Sequence, residues 1–551
     1  MPYLTNNPQA VRRATGFDPW AHSLPPKLAI DGYRSTMPLM SVAEDGIPAL
    51  FLKEIDRTNV EHLRPDGARC VWYSPYFSFG GLREPSDAYP DLAAAVQSEL
   101  TGHIELDSGM PIELFRELRQ ALGSSEPKGP SFEPPRNHYV IARDDVAASF
   151  ARGRTELQEA AAPLVRDLES DRLAPWMARA PGNRFASLDR MLEEAALDGI
   201  LVASPVAVQD LTGIPMRAIG EDAWALYPKG SSVVHLLART ELPWVGLPLS
   251  RPARAASVKE LAGGSRLGFE EVALSFEAWS GFGLEELECE PATGLVRRWR
   301  ELRSWEDLAA CIIGARVTLE AIRSALGFVE RELAARRRVS ELDAYNRYRS
   351  RVESFIRDRG LPIRVRTYFT HTHAGDRSHF PASATDHEIN AGSSLKIDGG
   401  LEIYDSRGMF LGVSDITRSA VGSPRARSFY ELLDRALLEG AIAACRPGVK
   451  GADVFAAGLA WLEPHRDEII EGGFMPASEA PLGDLFRRNI GHLIGKQEPA
   501  TVEFRAGDNR SLEAGMIAAA EFQWPHAGYC IGTEDIFLIT AEGPLNLTRP
   551  V

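Results

Sequence analysis

The sequence has little cysteine, and the cysteines it has are scattered. None of the cysteines in the 551-residue chain has the CxxC spacing, and they occur at Cys70, Cys289, Cys311, Cys445 and Cys530. An odd number of widely spaced cysteines argues against a disulfide framework or a zinc ribbon, and it is typical of a reducing compartment.

The chain also lacks an excess of positive charge and any long apolar run. Lys and Arg total 61 against 76 Asp and Glu, so the formal net charge is −15, which argues against nucleic-acid and anionic-membrane partners. No apolar run reaches the roughly 18 residues of a membrane span. The opening residues, MPYLTNNPQAVRRATG, have no apolar core of a signal peptide. We therefore expect a cytoplasmic protein with no membrane partner.

The length of 551 residues predicts two to four domains. We expect an N-terminal α/β domain over residues 1–175, opening with an extended arm or irregular cap over residues 1–40. A second α/β domain is expected over 176–300 and a catalytic domain over 301–551. HIELDSGMPIELFRELRQALG and LGFEEVALSFEAWSGFG show similar strand–helix patterns, which indicate either a tandem repeat or two generic strand–helix pairs.

Four acids and one histidine in the last third sit inside or beside apolar, strand-like runs: Asp398 in LKIDGG, Asp415 in GVSDITRS, His492 in NIGHLIGKQEP, Glu521 in MIAAAEFQW and Glu534 in CIGTEDIFLIT. Carboxylates are rarely buried without a partner, because desolvating a charge is costly. Oxygen ligands with one imidazole suit a hard or borderline divalent metal. Two metals about 3.5–4 Å apart, sharing a bridging water, would balance four carboxylates.

Other residues near these acids have plainer interpretations. The alternative for each acid is a separate loop residue or ion-pair partner. Asp405, in YDSRG, is predicted to lie in a turn rather than at a metal. His371 and His373, in THTHAGDRSHF, are interpreted as ordinary polar loop residues, because nothing nearby completes a metal site.

The order Asp, Asp, His, Glu, Glu in these contexts resembles the pita-bread metallopeptidases, the family of methionine aminopeptidase, aminopeptidase P, prolidase and the metal-free creatinase. The resemblance implies an α/β (α+β) protein, in which a C-terminal pita-bread catalytic domain follows two creatinase-N-like α/β domains. It implies two divalent ions held by those five residues, with Asp415 and Glu534 bridging both. Manganese is favoured, with zinc, cobalt or iron as alternatives. The resemblance also implies a homodimer.

The same resemblance assigns roles beyond metal binding. Glu521 would also shuttle a proton from the bridging water, and His379 would contact the substrate and stabilise the tetrahedral intermediate. Two positions depart from the family pattern. Gln497 stands where a second histidine is usual; it can donate a hydrogen bond but cannot titrate. Gly532 replaces an arginine two residues before the final glutamate, and we expect this change to open space beside the metal.

These features predict a dinuclear metal-dependent hydrolase. Its reaction would resemble that of Xaa-Pro aminopeptidase or prolidase, cleaving an amide at the N-terminal end of a small peptide. One alternative is a non-peptidase member of the same fold, acting as a small-molecule amidohydrolase or a lyase. Another is a catalytically inactive binding protein. The two departures predict poor activity on simple Xaa-Pro peptides.

Overall fold

A computed structural model describes residues 2–42, 46–63, 67–75, 87–123, 125–129, 132–220, 222–243, 246–252, 256–378, 381–496, 501–526 and 529–550. The strands of these residues form two six-stranded sheets, one three-stranded sheet and one four-stranded sheet. Within the described residues, no helix is both long enough and apolar enough to cross a membrane. The mixed α/β fold class predicted from the sequence is confirmed.

The first unit is built on a six-stranded sheet. Its strands are β1 (Tyr3–Thr5), β2 (Leu39–Val42), β3 (Ala49–Lys53), β4 (Arg69–Tyr73), β5 (Ile104–Asp107) and β6 (Ser125–Lys128). Its helices are α1 (Pro8–Thr15), α2 (Pro19–His22), α3 (Pro25–Leu28), α4 (Tyr33–Thr36), α5 (Arg57–Leu63), α6 (Leu92–Glu99) and α7 (Ile112–Leu122). The sheet order is β4-β3-β2-β1-β5-β6.

The expectation of an extended arm over residues 1–40 is wrong. β1 is an interior strand of the first sheet, antiparallel to β2 and parallel to β5. Helix α1 is capped by the Asn7 side chain, which accepts from the backbone N–H groups of Gln9 and Ala10, and Pro8 supplies its first turn. These elements are only three to eight residues long, so hydrophobic periodicity gives little signal for them.

The second unit contains strands β7 (Asn137–Ala142), β8 (Gly199–Val202), β9 (Ala223–Pro228), β10 (Val233–Ala238), β11 (Leu267–Phe269) and β12 (Cys289–Pro291). Its helices are α8 (Arg143–Ala151), α9 (Arg154–Ala161), α10 (Ser170–Ala178), α11 (Arg184–Glu194), α12 (Pro205–Thr212), α13 (Met216–Ile219), α14 (Val258–Ala262), α15 (Phe276–Gly281) and α16 (Thr293–Glu301). The sheet order is β12-β11-β8-β9-β10-β7. Strand β7 pairs with β10, so the second sheet begins well before the predicted boundary at residue 176.

The two units share most of one topology. In the first unit, β1 pairs antiparallel with β2 and parallel with β5. In the second unit, β8 pairs antiparallel with β9 and parallel with β11. The edges differ, because β4 runs parallel to β3 whereas β7 runs antiparallel to β10. The repeated segments also meet: Pro111 bridges Ser275, and the Phe115 and Phe276 rings stack 3.9 Å apart. The tandem repeat suggested by the sequence is therefore a repeat of structure.

The C-terminal domain places two sheets side by side. Its strands are β13 (Ile363–Ala374), β14 (Ser394–Asp405), β15 (Phe410–Val421), β16 (Gly491–Ile494), β17 (Ile517–His526), β18 (Tyr529–Thr540) and β19 (Gly543–Asn546). Its helices are α17 (Leu308–Ala334), α18 (Glu341–Asp358), α19 (Pro424–Arg435), α20 (Gly451–Leu462), α21 (Arg466–Glu471) and α22 (Leu482–Leu485). The sheet orders are β13-β14-β15 and β16-β17-β18-β19.

Helices α17 and α18 cover one face of the β13-β14-β15 sheet. A Cβ at Gly399 would lie 3.0 Å from the Tyr348 hydroxyl of α18, and one at Gly314 of α17 would lie 2.2 Å from Ile403 Cδ1. Residues 399 and 403 of β14 therefore face the helices. Because side chains alternate along a strand, Asp398 faces the opposite side of the sheet.

A buried ion cluster joins the second unit to the catalytic domain. Asp210 at the end of α12 lies 2.8 Å from Arg300 Nε, 3.2 Å from Arg303 and 3.8 Å from Lys496 Nζ. Lys496 also pairs with Asp307, and its backbone carbonyl accepts from Arg300. Since Lys496 follows the GHLIG segment, the cluster fixes the chain just beyond His492.

Candidate metal centre

The β14–β15 hairpin brings the first two predicted ligands to one face. Asp415 is opposite Gly400, and Asp398 is opposite Thr417. Since residues two apart on a strand share a face, both carboxylates point away from α17 and α18. The hairpin ends in a turn where Asp405 Oδ1 accepts from the backbone N–H groups of Arg407 (2.8 Å) and Met409 (3.0 Å). The turn predicted at Asp405 is confirmed.

The second sheet brings the other three predicted ligands together. Glu521 on β17 is directly opposite Glu534 on β18, and His492 on β16 is opposite Ala519. Glu521 lies two residues from Ala519, so its side chain shares the face of His492 and Glu534. Each ligand-type residue is thus placed by strand register rather than by a loop.

Asp415, His492 and Glu534 converge most closely. Each offers an atom within 4.8 Å of the others, and His492 Nε2 lies 3.9 Å from Asp415 Oδ2. His492 Nδ1 is 2.9 Å from the Leu493 carbonyl, which can only accept, so Nδ1 carries the proton. Nε2 is then the nitrogen left to bind a metal, which answers a question that the sequence left open.

The remaining two carboxylates flank this cluster and are approached by cations. Asp398 Oδ2 lies 3.6 Å from Lys396 Nζ and accepts from Gln523 Nε2 at 3.4 Å. Glu521 Oε1 lies 3.7 Å from Arg488. The structure thus brings three of the five predicted ligands within one ion's reach and sets the other two beside them.

The chemistry of this donor set fits divalent metal. Glu534 is 1% exposed, and its Oε2 accepts from the Thr417 hydroxyl at 3.0 Å. Its buried Oε1 has no hydrogen-bond partner among the described residues. Burial, followed by the charges of Glu521 and Asp398, holds the pKa of Glu534 well above its usual range. A cation between these carboxylates would offset that repulsion and would give Glu534 Oε1 an interaction partner.

Residues 309–541 match the model of metallopeptidase family M24. The C-terminal domain belongs to metallopeptidase family M24. A curated relative, the uncharacterized peptidase YqhT of Bacillus subtilis, is 25% identical over 301 residues, covering 53% of this chain and 76% of that protein. The family resemblance of the sequence is confirmed.

Two solved structures share the fold of this chain. An X-prolyl aminopeptidase from Caenorhabditis elegans, described as a cytosolic enzyme with a dinuclear active site, aligns with 99% of this chain and 86% of its own at a TM-score of 0.58 and 13% identity. The prolidase from Pyrococcus horikoshii aligns with 67% of this chain and 99% of its own, at a TM-score of 0.51 and 18% identity. Identities this low show the fold alone, and the first alignment includes both units that precede the M24 domain.

Two predicted site residues of the M24 domain, His379 and Gln497, lie outside the described residues. The interpretation of His371 and His373 as polar loop residues is wrong. His371 and His373 lie on β13, opposite Asp398 and Lys396, and are 7% and 1% exposed. Burial lowers the pKa of His371 to about 4 and that of His373 well below its usual range. The alternation in RTYFTHTHA was the signal that a strand, not a polar loop, holds them.

The prediction that Gly532 opens space beside the metal is wrong. A Cβ at this position would lie 2.5 Å from Gln523 Oε1, 2.8 Å from Thr417 Cγ2 and 3.0 Å from Lys396 Cδ. Lys396 Nζ donates to Gln523 Oε1 at 2.6 Å, and Gln523 Nε2 donates to the Thr417 hydroxyl at 2.7 Å. Lys396 and Gln523 therefore fill the space, and the sequence analysis missed both. Each lies two residues along a strand from a predicted ligand, which was the available signal.

Gly532→Ala should therefore disturb the metal site rather than enlarge it. Overpacking typically costs about 1–3 kcal/mol, and here the methyl group would push Gln523 away from Asp398 and Thr417. We expect a lower Tm and a weaker metal affinity, measured by calorimetry and by metal titration. Gly392→Ala is the control, because no atom lies within 4 Å of its added Cβ. Unchanged metal affinity in Gly532→Ala would show that Gln523 is not needed at Asp398.

Proposed function

We propose that the protein is a dinuclear metal-dependent hydrolase that cleaves an amide at the N-terminal end of a small peptide, as Xaa-Pro aminopeptidases and prolidases do. The observation that carries this proposal is the convergence of Asp415, His492 and Glu534 with Asp398 and Glu521 beside them, on one face of the M24 domain. The match of residues 309–541 to the model of metallopeptidase family M24 supports the same reaction class.

In this proposal the five residues hold two divalent ions, with manganese favoured over zinc, cobalt or iron. Such ions supply Lewis acidity and a nucleophilic water at neutral pH. Asp415 and Glu534, which are 7% and 1% exposed, would be the carboxylates that hold both ions. His492 would bind an ion through Nε2, and Glu521 would carry a proton toward the leaving amine. His379 contacts the substrate, and Gln497 donates a hydrogen bond to it.

We further propose that the enzyme acts in the cytoplasm as a homodimer. The few, widely scattered cysteines support the compartment. Light scattering at micromolar concentration tests the dimer, since a monomer has a mass of 60.5 kDa.

A second candidate is a non-peptidase reaction on a small amide, or a lyase reaction. It is favoured by the Lys396–Gln523 pair, which stands beside Asp398 where the family pattern has an arginine on the neighbouring strand. A site built around one set of donors rejects substrates that leave those donors unpaired. A pure binding protein is disfavoured, because it would not need the five ligand-type residues.

Metal analysis combined with a peptide library tests these alternatives. We expect about two divalent ions per chain and measurable cleavage of Xaa-Pro di- and tripeptides, with kcat/KM below the 10⁴ M⁻¹s⁻¹ or so that marks a good substrate. Efficient turnover of simple Xaa-Pro peptides would show that Gln497 and Gly532 do not limit peptidase activity. Bound metal with no cleavage of any peptide would favour the non-peptidase candidate.

A further inference from the structure

A cavity of about 730 Å³ lies beside β13, the outer strand of its sheet, where three parts of the chain meet. The short helices α2–α4 of the first unit form one wall, the segment around Met216 forms a second, and the start of α18 with β13 forms a third. The side chains that line these walls include Trp20, Lys27, Tyr33, Met216, Tyr345 and Phe369. Its volume is in the range of pockets that hold drug-sized ligands, about 300–1,000 Å³.

The cavity adjoins the part of the sheet that carries Asp398. Phe369 is opposite Gly400, and His371 is opposite Asp398. Their side chains share the face on which Asp398 lies, and the Phe369 and His371 rings are 5.2 Å apart. Positions 398 and 400 are about 7 Å apart along β14, since a strand rises about 3.3 Å per residue. A group in the cavity would therefore lie at least two residues from a bond cleaved at the metals.

The walls favour an uncharged, largely apolar occupant. The Trp20 and Tyr33 rings lie 4.8 Å apart on one side, and Phe369 lies on the other. Flat aromatic faces bind planar or branched apolar groups well.

The charged groups that line the cavity already have partners. Arg366 is paired with Glu402 through two hydrogen bonds. The Lys27 ammonium donates to the Ala21 carbonyl at 2.7 Å and is attracted by Asp56. With these charges balanced, the described residues that line the cavity offer no unpaired charge to an ionic ligand.

We propose that this cavity is a substrate subsite that takes a bulky aromatic or branched apolar side chain at the third or a later residue of a peptide. This inference rests on the proposed function, because it assumes that a peptide is bound at the metal site. It narrows the substrate class from small peptides in general to peptides of three or more residues with an apolar group distant from the cleaved bond.

Two variants and a matched pair of substrates test the subsite. Trp20→Ala removes one wall, and Ala384→Trp fills the cavity from the opposite side. The substrates are Xaa-Pro tripeptides that carry either Phe or Gly as the third residue. Wild type should prefer the Phe peptide at least about tenfold in kcat/KM. Each variant should lose that preference through a raised KM, with kcat unchanged and the Gly peptide unaffected. The control is Trp461→Ala, because the Trp461 ring stacks on His465 and does not line the cavity.

Calorimetric binding of the same two peptides separates the subsite from the catalytic proposal. If neither peptide is hydrolysed but the Phe peptide binds wild type more tightly than either variant, the peptidase proposal fails and the subsite stands. If both peptides are hydrolysed or bound equally well by wild type and by both variants, the subsite is refuted.

Discussion

Asp415→Asn should lose at least one divalent ion per chain and lower kcat by at least about 10³-fold. Asp415 is 7% exposed and lies 3.9 Å from His492 Nε2, in the group of three that converges most closely. An amide oxygen carries no negative charge, so it binds a hard divalent ion far less strongly than a carboxylate. Loss of one positioned polar group typically costs about 10²–10³ in rate, and loss of a metal costs more.

Metal content by elemental analysis and steady-state kinetics measure this effect. Asp405→Asn is the matched control, because Asp405 lies in the same hairpin but pairs with Arg407 in the turn. The control should keep its metal and its turnover, with only some loss of stability. Full metal occupancy and normal turnover in Asp415→Asn would refute the ligand assignment.

Asp210→Ala should destabilise the protein more than any surface substitution. Asp210 is 2% exposed and contacts Arg300, Arg303 and Lys496, which are also buried. Removing the carboxylate leaves these cations uncompensated, which typically costs about 3–5 kcal/mol. Calorimetry should show a fall in Tm of roughly 6–15 °C. The control is Glu241→Ala, which breaks an exposed pair with Arg251 and should barely change the Tm.

The contribution of Asp210 to stability should depend on pH. Burial acts to raise the pKa of Asp210, but the charges of Lys496, Arg303 and Arg300 outweigh it and hold the pKa well below its usual range. A carboxyl group with a depressed folded pKa stabilises the protein fully above its unfolded pKa of about 3.9, and this stabilisation is lost as pH falls further. The Tm difference between wild type and Asp210→Ala should therefore be constant from pH 5 to 8 and shrink below about pH 4. A difference that grows on acidification would contradict the assignment.

The candidate ligands could be predicted because their signals are local. Asp398, Asp415, His492, Glu521 and Glu534 each occur in a short motif or an apolar strand, and family order links them. The strand–helix patterns also predicted α/β units before the catalytic domain, but they did not show that β7 joins the second sheet. Elements as short as β1 and α1 were not predictable, since three to eight residues carry too little periodicity to identify them.

Which groups surround those ligands depended on tertiary structure. Gly532 suggested empty space, yet Lys396 from β14 and Gln523 from β17 occupy it, because β15 and β18 bring the two sheets together. The cavity beside Phe369 likewise exists only because α2–α4 pack against β13, more than 300 residues away in sequence. The residue types of the candidate ligands and their order along the strands follow from the sequence alone. Their distances, their charge partners and the adjoining cavity were decided by long-range packing, which no local pattern encodes.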